Sequence, residues 1–263
     1  MNEILYGVNI ILIAATLLVI VPLAIYGGYQ LGLKRQALYS DPMKSQVASI
    51  QGSLLGLLSL LLGFTFSIAS QHFDKRSEAM KEEANAIGTT YLRAHSLPDT
   101  VKNETLDILK KYVDVRVQAG ENSVVNTLYR ESLLQEASEL RVKLWDLAMK
   151  SVRDDDRVAT SGLYIQALGD LIDAFGTRDE ALNRHIPEVI NFLLIIAIIL
   201  SGCSIGYTSA LSNHRPSVVA IGFMIVVVIL TSMLMDLDRP KRGVIQVSQK
   251  NMLDLQKEIR NSH

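Results

Sequence analysis

Four stretches of this sequence carry no charged side chain. They lie between Glu3 and Lys34, Lys44 and Asp74, Glu188 and Arg215, and Arg215 and Asp236. About 20 apolar residues in a helix cross a hydrocarbon core about 30 Å thick. Each stretch meets that length, and a soluble chain with four of them has too little polar surface left to face water. The spacing predicts four transmembrane helices at about 5–30, 47–70, 189–211 and 216–235. The bulk composition conceals this: 49% hydrophobic and 20% charged residues would suit a soluble domain if evenly mixed. The first tract has no basic leader region and runs into Tyr26-Gly27-Gly28, so it reads as a retained span rather than a cleaved signal.

The predicted class is therefore all-α: a four-span membrane protein with a helical bundle between spans 2 and 3. The divisions are 1–70 (a transmembrane hairpin), 71–186 (a cytoplasmic helical domain), 187–238 (a second hairpin) and 239–263 (a cytoplasmic C-terminal segment). Four spans put both termini and 71–186 on one side. Lys34, Arg35, Lys44 and Arg215 mark the other side, but the larger basic set, including Lys75, Arg76, Arg178, Arg184 and Arg239, lies on the side of the termini. By the positive-inside rule that side is cytoplasmic, and the chain reads as a multi-pass protein of the cell's inner (plasma) membrane.

The middle segment reads as helices throughout. The second span continues from Gln71 to Leu97 and stops at Pro98, because proline disfavours helical geometry in the residue before it. A helix at about 100–119 buries Leu106, Leu109, Val113 and Val117. Another, at about 124–152, carries a stripe of Leu133, Ala137, Leu140, Leu144 and Leu147. A third, at about 156–184, offers Leu163, Leu168, Leu171, Ile172 and Phe175, with a kink or restart at Pro187. Residues 249–260 read as a surface helix or an intersubunit strap.

The second span is the most informative. Ser45, Ser49, Gly52, Gly56, Ser59, Gly63, Ser67 and Ser70 recur at steps of three and four, so small residues occupy one face. Two readings compete. Such a face lets helix backbones approach closely, which makes Ser49, Gly52 and Gly56 a helix-packing seam. The same face can also line a narrow aqueous path, with Ser59, Gly63, Phe64, Ser67 and Ser70 along it and Leu60 or Phe64 as an apolar constriction. Arg239, Lys241 and Arg242 then stand at the cytoplasmic mouth and concentrate anions. In the third span, Ser201-Gly202-Cys203-Ser204 and Gly206 read as packing residues, with Cys203 as a buried free thiol.

Other chemistry is thin. No charge sits deep in a span, which counts against pumps, secondary transporters and voltage sensors. The near-neutral balance, 26 Lys+Arg against 27 Asp+Glu, argues against nucleic-acid binding. One cysteine and five dispersed histidines give no metal site and no disulfide framework. Asp154-Asp155-Asp156 lacks calcium-loop spacing and reads as a solvated turn whose last Asp caps the next helix. No nucleophile elbow or phosphate loop is present, so neither an enzyme nor a cofactor is expected.

Three segments carry a family resemblance. Glu83 to Ala94 (EANAIGTTYLRA) followed by Leu97-Pro98, Gly63-Phe64-Thr65-Phe66-Ser67 before it, and Asp236-Leu237-Asp238-Arg239-Pro240 through Gly243 resemble the bacterial bestrophin-like group. The resemblance covers nearly the whole chain. It implies kinship with bestrophins, which are oligomeric, usually pentameric, anion channels with four spans and a cytoplasmic helical domain. Their neck of three apolar residues at four-residue steps maps onto Leu60, Phe64 and Ile68, of which one is aromatic. Asp236 and Asp238 do not reproduce the acidic calcium clasp of the animal proteins. The leading expectation is an ion-channel-like homo-oligomer in a lipid membrane. The alternatives are a non-conducting membrane-anchored scaffold or signalling adaptor, and a stator-like pentamer that would need a partner's charged residue.

Overall fold

The computed structural model describes residues 10–121, 127–155, 157–239 and 245–261. Among them the secondary structure is helical, without strands. In chain order the helices are α1 (Ile10–Arg35), a 3₁₀ turn (Gln36–Leu38), α2 (Asp41–Ala94), α3 (Asp99–Glu121), α4 (Thr127–Asp154), a π-helical turn (Val158–Gly162), α5 (Leu163–Asn183), α6 (Glu188–Leu211), α7 (Val218–Leu237) and α8 (Lys250–Asn261). Four carry stretches long and apolar enough to cross a membrane: α1, α2, α6 and α7.

The helix ends follow local chemistry. Pro98 starts α3, its carbonyl accepting the N–H groups of Val101 and Lys102 at 3.0 Å. Pro187 separates α5 from α6, and its carbonyl takes the Ile190 N–H at 2.9 Å. Ser217 caps α7 by accepting the Ala220 N–H at 3.1 Å. Beyond the end of α6, Asn213 takes φ 60°, the left-handed geometry asparagine tolerates. The helix containing the second span ends at Ala94, and residues 95–97 turn tightly before Pro98.

The helices form two compact units. The first comprises described residues 10–71, 185–239 and Ile245. Its main contact is between α1 and α6. On α1, Ile13, Leu17, Val21, Ile25, Gly28 and Gly32 are buried, mostly at four-residue steps. On α6, Leu194, Ile198, Ser201, Gly202, Ile205 and Gly206 are buried. The two backbones nearly touch. A Cβ at Gly28 would overlap the Cys203 backbone, and one at Gly206 would overlap the Ile25 carbonyl. In lipid no hydrophobic force drives helices together, so close approach and dispersion do that work. Cys203 contributes its backbone to this contact; its side chain is half-buried rather than buried as expected.

The second unit comprises described residues from 72 to 184 and from 246 to 261. Its core draws on Ile87, Tyr91 and Ala94 of α2, Leu109 and Val113 of α3, and Leu168 and Leu171 of α5. The predicted α4 stripe is buried in full, from Leu133 through Leu147. Leu163 is exposed instead, because at about 100° per residue it falls about 80° or more from Leu168, Leu171, Ile172 and Phe175 on α5. The C-terminal segment is not a separate part: α8 seats Met252 and Ile259 in this core. Arg76 is buried and caps α5, donating from Nε to the Ala181 carbonyl at 3.2 Å and from Nη2 to the Arg184 carbonyl at 2.7 Å. The aspartate run makes a turn clasp, with Asp155 accepting the Arg157 N–H at 3.1 Å and the Thr160 hydroxyl at 2.6 Å. Asp156 lies outside the described residues.

Neighbouring glycines test the α1–α6 contact. Gly28→Val should cost about 3 kcal/mol or more, since the overlap is with backbone. Gly27→Val should be nearly neutral, because nothing lies within 4 Å of a Cβ there. Thermal unfolding of both variants in the same detergent checks the contrast.

Candidate functional site

The second span presents two opposite faces. At about 100° per residue, Leu58, Thr65 and Ala69 lie together and are buried within their own unit, with Leu55, Leu61 and Leu62 beside them. Ser49, Gly52, Gly56, Ser59, Gly63, Ser67 and Ser70 fall in an arc of about 80° on the other side. All are exposed except Ser70, which is half-buried. Among the described residues nothing lies within 4 Å of a Cβ built at Gly52, Gly56 or Gly63. Among the described residues the expected seam at Ser49, Gly52 and Gly56 is therefore not made with another span of the same chain. Leu58 joins an apolar core with residues of α1, α6 and α7, and Ala69 packs with Ile186 and Leu234, so the leucine face of α2 is the one its unit covers.

Leu60, Phe64 and Ile68 flank this arc and share its exposure, with Phe64 62% exposed. The hydroxyls are oriented by the helix. Ser49 donates to the Ser45 carbonyl at 3.1 Å, and Ser59 to the Leu55 carbonyl at 3.0 Å. Each proton is thus turned back onto the backbone, leaving oxygen lone pairs outward. Ser67 differs: its oxygen accepts from Gln71 Nε2 at 3.3 Å, so its own proton remains to donate. Farther along α2, Asp74, Glu78 and Glu82 continue on the exposed side at four-residue steps.

The residues expected at a mouth divide. Lys241 and Arg242 lie outside the described residues. Arg239 is only 5% exposed, so it is not the solvent-facing cation expected there. The two aspartates before it are buried and hold chain connections. Asp238 Oδ2 accepts the Ile186 N–H at 2.9 Å, and the Asp238 carbonyl meets the His185 ring at 3.2 Å. Asp236 Oδ2 accepts the Ile245 N–H at 2.9 Å. Asp236 and Asp238 thus clamp the end of the last span to residues before and after it. Among the described residues, no group of three metal-ligating side chains forms a metal site.

A family model described as a Bestrophin-like domain matches residues 12–252. The chain belongs to the bestrophin-like family. A substituted form of a bacterial bestrophin homologue from Klebsiella pneumoniae aligns with a TM-score of 0.69 at 14% identity, covering 96% of this chain and 98% of that one. Another variant of a Klebsiella pneumoniae homologue gives 0.68 at 13% identity, covering 95% and 99%. A variant described as a membrane protein gives 0.64 at 13% identity, covering 92% and 98%. At these identities the likeness concerns the fold. No curated protein matches the sequence. Together with its four apolar helices, this makes the chain an integral membrane protein with a bestrophin-homologue fold.

In this bestrophin-like chain the family-signature segment contains a charge cluster that sequence reasoning missed. Glu83, the first residue of the segment, is fully buried. Its Oε1 accepts from Arg116 Nε at 2.6 Å and its Oε2 from Arg116 Nη2 at 3.1 Å; Arg178 Nη1 donates to Oε2 as well. The guanidiniums of Arg116 and Arg141 lie over the Phe175 ring, 4.6 and 3.6 Å from its centre. Burial opposes charge on Glu83, but Arg116 and Arg178 outweigh it and hold the carboxyl below the usual carboxylate range. Burial pushes the Tyr112 phenol upward, and the Glu83 charge adds to that. The signal in the sequence was Arg116, a charge set within the apolar stripe of its helix. Arg178 had been counted only as a membrane-edge cation.

The folded pKa of Glu83 is depressed, so its stabilisation is present above the unfolded carboxyl value of about 4.3 and is lost as pH falls through the folded value. Glu83→Gln should cost about 3–5 kcal/mol at neutral pH, because two buried guanidiniums lose their counter-charge. It should also flatten the acid limb of stability. Unfolding followed by circular dichroism between pH 7 and pH 3 reads both effects.

Proposed function

We propose that the protein is an oligomeric ion channel of the inner membrane, with the exposed face of α2 turned to the axis. The observation that carries this reading is the uncovered Ser/Gly face opposite the packed face of the same helix. Serine and glycine make a poor lipid surface, and several copies around an axis would remove them from lipid. Phe64 would form the constriction, with Ser59, Gly63, Ser67 and Ser70 beside it. The family likeness favours a pentamer. The basic residues counted above support a cytoplasmic placement of the termini and the middle segment.

Family likeness implies anion conduction, but one set of observations favours cations. The Ser49 and Ser59 hydroxyls turn lone pairs outward, and farther along the helix exposed Asp74, Glu78 and Glu82 outnumber the exposed Lys75 and Lys81 among them. Rings of such groups attract cations. Ser67 is the exception that can donate to an anion.

Purified protein in liposomes should conduct above empty liposomes, and Gly63→Leu should cut the flux at least about tenfold by filling the path. Absence of flux across several salts would leave a non-conducting scaffold with the α2 face as an intersubunit seam. The reversal potential under a KCl gradient identifies the permeant sign. Cation selectivity that weakens in Glu78→Gln and Glu82→Gln supports the second reading, and anion selectivity supports the family one.

A further inference from the structure

A crevice opens on the membrane unit between α1 and the start of α7. Its volume is about 470 Å³, and Tyr26, Tyr29, Pro22, Arg215 and Ile221 line it. It continues into a narrower apolar groove that shares Pro22, Ile25 and Ile221 and ends against Met224 and Val228. The polar end and the apolar end differ sharply. Arg215 is the only charged residue between Glu188 and Asp236. It is exposed, and among the described residues it makes no ion pair. Tyr26 accepts a hydrogen bond from Gln30 Nε2 at 2.9 Å, so its phenolic proton remains to be donated. Two tyrosines and an arginine form the belt chemistry of a membrane–water interface.

The residue levels are consistent with that depth. Tyr26 lies nine residues before Arg35, the end of α1, or about 13 Å along the helix at 1.5 Å per residue. A long arginine side chain at such a depth extends toward the headgroups while its stem lies on apolar surface. The arrangement thus joins one cation and two phenols at the mouth to an apolar slot below.

We propose that this crevice binds an anionic phospholipid, its phosphate and headgroup held by Arg215, Tyr26 and Tyr29 and an acyl chain laid in the groove toward Met224 and Val228. The lipid belongs to the leaflet on the side of the α1–α2 and α6–α7 connections. The headgroup supplies the charge Arg215 lacks, and the chain supplies the apolar contact the groove lacks. Neither part alone accounts for both ends. The site is independent of whether the protein conducts.

The test uses full-length protein purified in detergent and probed by native mass spectrometry with phosphatidylglycerol or phosphatidylcholine of identical acyl chains. One basic residue near a membrane surface contributes about 1 kcal/mol toward an anionic lipid, so the wild type should retain phosphatidylglycerol about fivefold better. Arg215→Gln should abolish the preference while leaving the protein folded, since Arg215 lies in an exposed loop. Ile221→Trp, which fills the groove, should reduce retention of both lipids. Equal retention of the two lipids by the wild type would overturn the proposal. So would a preference that survives Arg215→Gln, or displacement of the lipid by millimolar inorganic phosphate, which would mark an anion site without a chain slot. A crevice closed by a second copy, seen as crosslinking between cysteines placed at positions 26 and 221 of different protomers with no lipid retained, would overturn it as well.

Discussion

The backbone approach of α1 and α6 sets the terms for the rest of the membrane unit. Gly28 and Gly206 each sit where a methyl group would meet the facing backbone. Two helices matched this closely have little left to offer a third. Leu58 and Ala69 of α2 are buried in this unit among residues of α1, α6, α7 and the approach to α6, and the small residues of α2 stay uncovered. The small-residue pattern therefore occurs twice with opposite outcomes. On α1 and α6 it is consumed inside the chain, and on α2 it faces outward. Periodicity alone does not separate these cases, because the same steps of three and four serve both.

That distinction marks how far the sequence could be read. Span number, span position and the α4 stripe were legible because each depends on hydropathy and period within one segment. The small face of α2 was visible as a face, but its partner was not, since that depends on what α1 and α6 do with their own glycines. Gly28 was read only as the flank of an absent cleavage site, although it is half of the closest helix contact. Arg239 was assigned to open water from its position after a span, whereas it is buried beside Asp236 and Asp238. Burial of a charge requires partners distant in sequence, and spacing rules do not reveal them.

Glu83 shows the same limit from the energetic side. Removing a carboxylate and two guanidiniums from water is expensive, and their attraction offsets the cost only when geometry is tight. Here both Glu83 oxygens are engaged, and Arg116 contributes two donors. The cluster joins α2, α3 and α5 by directional contacts that leucine packing would not provide. Ala84, Ile87 and Tyr91 along the signature segment are buried in that same core. A segment this specific in sequence is thus accounted for by packing and charge, without assigning it a ligand.

The face register of α2 carries one more consequence. Thr65 and Ala69 on the span, then Arg76, Glu83, Ile87 and Ala94 farther along, all fall within about 40° of one another at 100° per residue, and all are buried. The helix is 54 residues long and keeps one side packed from Leu58 to Ala94, while residues 41–57 have no buried side chain and most of the opposite side from Ser49 to Thr89 is exposed. Along that outer side the chemistry changes from serine and glycine, through Phe64, to Asp74, Glu78 and Glu82. Exposed Lys75 and Lys81 lie among those acids, so the charge presented on this side depends on which of them the register turns outward. A charge preference set this way resides in helix register, so an insertion of one residue after Ser70 would turn the acids by about 100° while leaving the span unchanged.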